Sequence, residues 1–205
     1  MNPIERLTEA FEKFPGIGPR QARRFVQFLL HSQSGYRTAL AEDIKRLGAN
    51  TFQCKLCYRW STKNGDTKGL CSICSNSHRE KTVLFIVEKD ADIDNVERSG
   101  FKGLYFVLGG AIPLAADLPH KYVRLKELVA RVEREGTELA LNEVILGLSA
   151  TAEGDHTRQI LAETLRPMSE GMNFKLTSLG RGLSTGSELE YADPDTIANA
   201  LNSRT

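Results

Sequence analysis

The sequence predicts an α/β chain of several domains. A helical N-terminus and a cysteine-bearing segment come first, then a parallel sheet with flanking helices, and last a C-terminal tail. Three observations carry this reading. Short, nearly continuous apolar runs alternate with helical patterns from Thr82 onward, as strands buried on both faces of a helix-covered sheet do. Two paired Cys-x-x-Cys motifs interrupt the chain before that alternation begins, and a Pro-Gly-Ile-Gly-Pro break divides an amphipathic N-terminal stretch.

In the first helix Ile4, Leu7, Phe11 and Phe14 recur at helical spacing and form one apolar stripe. Pro15–Pro19 ends it, and a second helix is expected from Pro19, where proline suits the first turn, through Ala22, Phe25, Val26, Leu29 and Leu30. Ser34-Gly35 is expected to stop it, and a third short helix should run over 36–48 and end at Gly48. Three helices of this size bury little alone, so a partner module or a second copy should cover the stripe. Residues 52–79 hold the four Cys and few aliphatic side chains. The expected strands are Thr82–Val87, Gly103–Leu108, Glu143–Leu148 and Asn173–Leu179, with helices over 90–99, 120–136 and 155–171. A Gly/Ser-rich tail follows Gly180 and carries one helix, Pro194–Leu201. The implied domains are 1–52, 53–79, 80–178 and 179–205.

At 205 residues, 40% hydrophobic and 26% charged, the chain is long enough for one large or two small buried cores and too apolar to be disordered. Its apolar runs are as short as Val83–Val87, whereas a membrane helix needs roughly 20 residues. With no basic-then-apolar leader at the N-terminus, a cytoplasmic location is expected. The net charge of +1 hides a division: residues 1–81 carry fourteen Lys and Arg against seven Asp and Glu, and residues 82–205 carry thirteen against nineteen. No acidic residue lies between Phe14 and Ala41, which favours an anionic partner for the N-terminal part.

Cys54, Cys57, Cys71 and Cys74 use every cysteine in the chain. Two such knuckles set four thiolates at the corners of a tetrahedron around Zn²⁺, a closed and therefore structural site. Disulfides or free buried thiols are the alternatives, and a reducing compartment disfavours the first. The first helix end, the Gly-x-Gly turn and the basic second helix make a helix–hairpin–helix element, in which Gly16 and Gly18 would let backbone approach a phosphate at the start of the second helix, with Arg20, Arg23 and Arg24 adding charge. Such contacts hold DNA without reading its sequence. An ordinary turn between packed helices is the alternative. Glu88 follows the first expected sheet strand, and Glu153 with Asp155 follows the third. Side chains there could converge and hold Mg²⁺. They could equally serve as caps, with Asp155 capping its helix and Asp90 or Asp92 in the first turn of another. No Gly-x-x-x-x-Gly-Lys-Ser/Thr loop, no His-x-x-x-His spacing and no activated nucleophile is evident.

The order of these features, together with Gly182-Leu-Ser-Thr-Gly-Ser-Glu-Leu-Glu-Tyr-Ala-Asp193, resembles the RecR family of bacterial recombination mediators over essentially the whole chain. Phe14–Arg24, the cysteine quartet, Ile86–Glu88 with Tyr105–Leu108, and the Gly182–Asp193 stretch carry the resemblance. It implies a Toprim-type sheet in which Glu88, Glu153 and Asp155 match the family's acidic positions, and a C-terminal stretch similar to a Walker B motif. It further implies a non-catalytic protein that acts with RecO and RecF to help load RecA on single-stranded gaps, in some members as dimer-built tetrameric rings around DNA. On that view the acidic half is a docking face for RecO. The alternative is a Mg²⁺-dependent Toprim nuclease or strand-passing enzyme using Glu88, Glu153 and Asp155, although none of the five tyrosines can be placed as a strand-joining nucleophile.

Overall fold

The computed structural model describes residues 2–63, 68–183, 186 and 188–202. The chain divides into two compact units, Met1–Thr51 and Phe52–Thr205.

The first unit is three helices: α1 (Pro3–Glu12), α2 (Pro19–His31) and α3 (Ser34–Asn50). Asn2 and Glu5 close a reciprocal capping box on α1, each side chain accepting from the other's backbone N–H at 2.9 and 3.1 Å. Ser34-Gly35 does not separate α2 from α3 as expected; the pair opens α3. The break falls at Ser32, whose extended backbone turns the chain, while the Arg37 guanidinium donates to the carbonyls of Leu29 and Ser32 at the end of α2. Gly48 lies inside α3, and the Thr51 hydroxyl donates to the Leu47 carbonyl at 2.6 Å. Only Thr8, Ala22 and Val26 are fully buried in these helices. Phe11 is half-buried, edge-on to Phe14 and Phe25 at 5.6 and 5.7 Å, so the apolar stripe splits into one packed ring and the exposed Ile4, Leu7 and Phe14.

The second unit opens with a two-stranded sheet of β1 (Thr51–Gln53, begun at the unit boundary) and β2 (Trp60–Thr62). The main sheet holds β3 (Val83–Val87), β4 (Leu104–Val107), β5 (Glu143–Gly147) and β6 (Lys175–Ser178) in the order β4-β3-β5-β6, all parallel. The helices are α4 (Asp90–Arg98), α5 (Leu125–Glu138), α6 (Ala152–Met172) and α7 (Pro194–Asn202). Expected helix 120–136 begins only at Leu125, because Pro119–Lys121 close a 3₁₀ turn first. Helix α6 starts earlier than expected: the Thr151 side chain accepts from Gly154 N–H at 3.1 Å and is the cap, so Asp155 sits in the first turn.

Strand alternation sorts the core. Leu84, Ile86, Leu104, Phe106, Val144 and Leu146 pack with α5 and α6. Phe85, Val87, Tyr105 and Val107 face the other way, against Ile93 of α4 and against Cys54, Cys57 and Cys71. The chain leaves β3 for one neighbour, β4, and later returns to its other side as β5, so the carboxyl ends of β3 and β5 bound a crevice at a topological switch point.

Polar contacts fasten the cysteine segment to this sheet. Val107 N–H donates to the Cys57 carbonyl at 2.8 Å. The buried Arg131 of α5 donates through Nη1 to the carbonyls of Leu56 and Tyr105, at 2.6 and 2.8 Å, and through Nε to Glu135 at 2.9 Å. Arg79 grips Glu97 through two nitrogens, at 3.1 and 2.7 Å, and the Tyr105 hydroxyl donates to the same carboxylate at 2.6 Å.

The last network predicts an acid sensitivity. Burial opposes the charge on Glu97, but Arg79 and Tyr105 more than offset it and hold its carboxyl below the ordinary value. A lowered folded-state value contributes stability that is complete above the unfolded value of about 4.3 and lost as pH falls through the folded one. Glu97→Gln should therefore lower the melting temperature at neutral pH and flatten its decline between about pH 5 and 3. Thermal melts across that range read both effects; a decline as steep as wild type would remove Glu97 from the account.

Candidate functional site

The cysteine quartet is built from two turns. Cys54 follows β1, and the first turn closes when Tyr58, in the left-handed region at φ 60°, donates its N–H to the Cys54 carbonyl at 2.9 Å. Ser75 N–H closes the second on the Cys71 carbonyl at 3.0 Å. All four Sγ atoms lie within 4.8 Å of one another, with Cys57 and Cys71 at 3.6 Å, and none is disulfide-bonded. Tetrahedral Zn–S bonds of about 2.3 Å would put the sulfurs about 3.8 Å apart, so the quartet fits such an ion. Backbone N–H groups of Cys71 and Cys74 point at the sulfurs of Cys54 and Cys71, at 3.4 and 3.5 Å, and favour thiolate charge. Crowding splits the thiols: hydrogen bonds from Cys57, Cys71 and Cys74 hold Cys54 below its usual value, while the other three sulfurs push Cys74 above it. A bound ion would resolve that competition by taking all four as thiolates, leaving no open position for substrate.

In the first unit, Ile17 N–H bonds the Phe14 carbonyl at 3.0 Å across the turn, and Gly16 sits at φ +75°, a conformation that favours glycine. Gly18 is different. Its backbone is extended at φ −88°, a Cβ there would meet nothing within 4 Å, and it caps α2 without a side-chain hydrogen bond. Serine or aspartate would serve the helix better there, so the fold itself does not require glycine. No acidic residue stands in the first turn of α2, and its N–H groups and partial positive charge are left uncompensated. Arg20, Arg23 and Arg24 are exposed on the following turns. Arg23 lines a groove with Glu5, Glu9 and Glu12 of α1, whereas Arg24 donates to Gln21 at 3.5 Å and lines a groove that holds no carboxylate.

The acidic residues behave differently again. Glu88, 7% exposed, accepts from the Ser149 N–H and hydroxyl at 2.8 and 2.7 Å, joining the ends of β3 and β5. Asp155 is gripped by both terminal nitrogens of Arg181 and paired with Arg158 at 2.8 Å, and Arg181 holds its carboxyl below the ordinary value. Glu153 is exposed. Among the described residues, the cysteines are the one group of three or more His, Cys, Asp or Glu whose ligand atoms gather within 4.8 Å. Asp92 accepts from Lys89 N–H at 2.8 Å at the start of α4, and Asp90 accepts from Trp60 N–H at 2.9 Å. Of the C-terminal stretch, residues 184, 185 and 187 lie outside the described residues; Asp193 caps α7, accepting from Thr196 N–H and hydroxyl at 2.9 and 2.6 Å. Sequence reading missed Ser149, Arg131 and Arg181. The one signal in the sequence is Gly180-Arg-Gly182, an arginine set between two glycines.

Comparisons with known proteins agree along the chain. The family model described as "RecR, helix-hairpin-helix" matches residues 4–47, "Toprim domain" matches 82–177, and "RecR, C-terminal" matches 182–205. Proteins named "Recombination protein RecR" are similar over their whole length. The one from Synechococcus sp. (strain JA-3-3Ab) is 36% identical over 98% of this chain and 96% of its own. That of Bdellovibrio bacteriovorus is 35% identical over 100% and 97%, and that of Rickettsia typhi 36% over 99% and 96%.

The two hairpin glycines separate by substitution. Gly16→Ala should destabilise the helical unit by about 1 kcal/mol, since its backbone conformation strains any other residue. Gly18→Ser should leave thermal stability within about 0.5 kcal/mol of wild type, since serine is at least as good an N-cap for α2 as glycine. A large loss of stability from Gly18→Ser would show that the fold, and not a close-approaching ligand, requires glycine there.

Proposed function

We infer function from one premise: the chain belongs to the RecR family of recombination proteins. On this reading it is a non-catalytic, DNA-binding mediator of recombinational repair in the cytoplasm. It acts with RecO and RecF to help load RecA at single-stranded gaps, as a ring-like oligomeric clamp. The bare N-terminus of α2 carries the reading. Gly16 and Gly18 let a DNA backbone come close, the free N–H groups donate to a phosphate, and Arg20, Arg23 and Arg24 supply charge on the next turns. Arg20 and Arg24 should contribute most, because Arg23 shares its groove with three glutamates.

Two further assignments belong to this reading. Cys54, Cys57, Cys71 and Cys74 hold one structural Zn²⁺. Glu88, Glu153 and Asp155 form a docking region for a partner such as RecO and not a Mg²⁺ site; the grip of Arg181 and Arg158 on Asp155, and of Ser149 on Glu88, supports this. Self-association follows from the helical unit, where Ile4, Leu7, Phe14, Leu30 and Ile44 line a groove of about 440 Å³. A second copy covering that groove would multiply weak phosphate contacts by effective concentration.

Replacing Arg20, Arg23 and Arg24 with Ala should weaken DNA binding on every sequence and flatten its salt dependence by about one counterion per lost contact. An unchanged salt slope in binding titrations would place the DNA site elsewhere. Elemental analysis should find one Zn²⁺ per chain, and Cys71→Ser should lose it and destabilise the second unit; stability unmoved by chelators would overturn the assignment. Ile44→Asp, at a side chain 64% exposed, should reduce both oligomer size and DNA affinity while the monomer stays folded. Sedimentation of a wild-type monomer that binds DNA normally would end the clamp. Incubation with supercoiled and nicked DNA and Mg²⁺ should give no cleavage or relaxation; activity lost in Glu88→Gln would favour the enzyme instead.

A further inference from the structure

We propose that the cleft between the first cysteine turn and α5 is a second anion site, built for a phosphate group and separate from the hairpin. The cleft, of about 280 Å³, is lined by Lys55, Tyr58, Lys126, Glu127, Arg131 and Arg134 among others. Four of these are cations, against the carboxylates of Glu127 and of Glu135 behind them. Among the described residues neither the Lys55 nor the Lys126 ammonium has an ion-pair or hydrogen-bond partner, and the Arg134 guanidinium reaches Glu135 only at 3.8 Å.

The second observation is Arg131 itself. It is 3% exposed, and its guanidinium is pinned by the carbonyls of Leu56 and Tyr105 and by one oxygen of Glu135. Its Nη2 is buried without any partner, as is the Oε2 of Glu135. A guanidinium kept out of water with an unmet donor, at the wall of a cleft rich in cations, calls for a compact acceptor with several oxygens. A phosphate meets that description: it can accept from more than one cation at once, and its charge matches the local excess. The source is either a DNA backbone phosphate or a free phosphate-bearing small molecule, and the first rests on the DNA-binding reading above.

The test uses the full zinc-loaded chain and a double variant, Lys126→Ala with Arg134→Ala. Both side chains are exposed on α5, and Arg131 is left in place. Millimolar inorganic phosphate should raise the wild-type melting temperature relative to chloride at equal ionic strength, and the double variant should lose that shift. If DNA is the source, the variant's plot of log affinity against log salt should also fall in slope by about two, with the hairpin arginines intact. A lost phosphate shift with an unchanged DNA slope assigns the site to a free phosphate compound. No phosphate shift in wild type together with an unchanged slope overturns the site, while DNA binding by the wild type would leave the hairpin reading standing. Circular dichroism and zinc content must match wild type in the variant, and Lys126→Glu with Arg134→Glu should show the same losses more strongly.

Discussion

The second unit depends on one constraint: a sheet of four parallel strands must be covered on both faces, and this chain has long helices for only one. Leu84, Ile86 and Phe106 lie under α5 and α6, which between them supply Leu128, Val132, Leu161 and Leu165. The opposite face carries Phe85, Val87, Tyr105 and Val107, and among the described residues the helix packed there is the nine-residue α4. The cysteine segment fills the rest. It has too few aliphatic side chains to hold itself together, so its cover of the sheet rests on the sulfur cluster at its centre. The buried thiols of Cys54, Cys57 and Cys71 thus belong at once to the sulfur cluster and to the core.

Arg131 is where that arrangement is enforced. Its guanidinium crosses from α5 to the carbonyl of Leu56, between two of the cysteines, and to that of Tyr105 in β4. A helix on one face is thereby bonded to the knuckle on the other, around the edge formed by β4. The Val107 N–H to Cys57 carbonyl bond extends the same edge. On the far side of α4, Arg79 carries Glu97 and the Tyr105 hydroxyl into one network and stacks over the Tyr105 ring at 5.6 Å. Buried charge on this scale is costly unless every partner is met, which makes the unmet Nη2 of Arg131 and the unmet Oε2 of Glu135 stand out.

How much of this was legible in the sequence differs by the kind of signal. Strands β3 and β4 were plain because strands buried on both faces must be continuously apolar. The quartet was plain because the Cys spacing is a local covalent pattern that directly encodes proximity. The start of α3 was not: Ser34-Gly35 has the composition of a stop, and only the contact of Arg37 with the end of α2 shows that the turn has already occurred at Ser32. Asp155 had two open readings, cap or metal ligand, and the cap belongs to another residue. Thr151 took the cap four residues earlier, and the arginine that holds Asp155 lies 26 residues away in sequence. Partners at that distance leave no periodic trace, and the same holds for Ser149 against Glu88.

That last pairing shapes the switch point between β3 and β5. At the switch point between β3 and β5, a metal-dependent site needs carboxylates that are free, close together and uncompensated, so that a divalent cation supplies the missing charge. Here Glu88 spends an oxygen on two donors of Ser149, which fixes the loop after β5 against the end of β3. The residue ahead of Asp155, Gly154, lies so close to the Ser149 carbonyl that a Cβ would collide with it, and this seats the first turn of α6 on that same loop. Asp155 then meets guanidinium groups from Arg158 and from Arg181 after β6. A guanidinium is a fixed cation with directional donors: it satisfies the carboxylate and joins the C-terminal segment to α6, but it offers no exchangeable coordination position at which a water could be activated. The charge of Asp155 is thus balanced by two arginines of this chain, while Glu88 is held by Ser149 and Glu153 stays exposed, so the carboxyl ends of β3 and β5, the first turn of α6 and the segment after β6 are fastened into one polar surface.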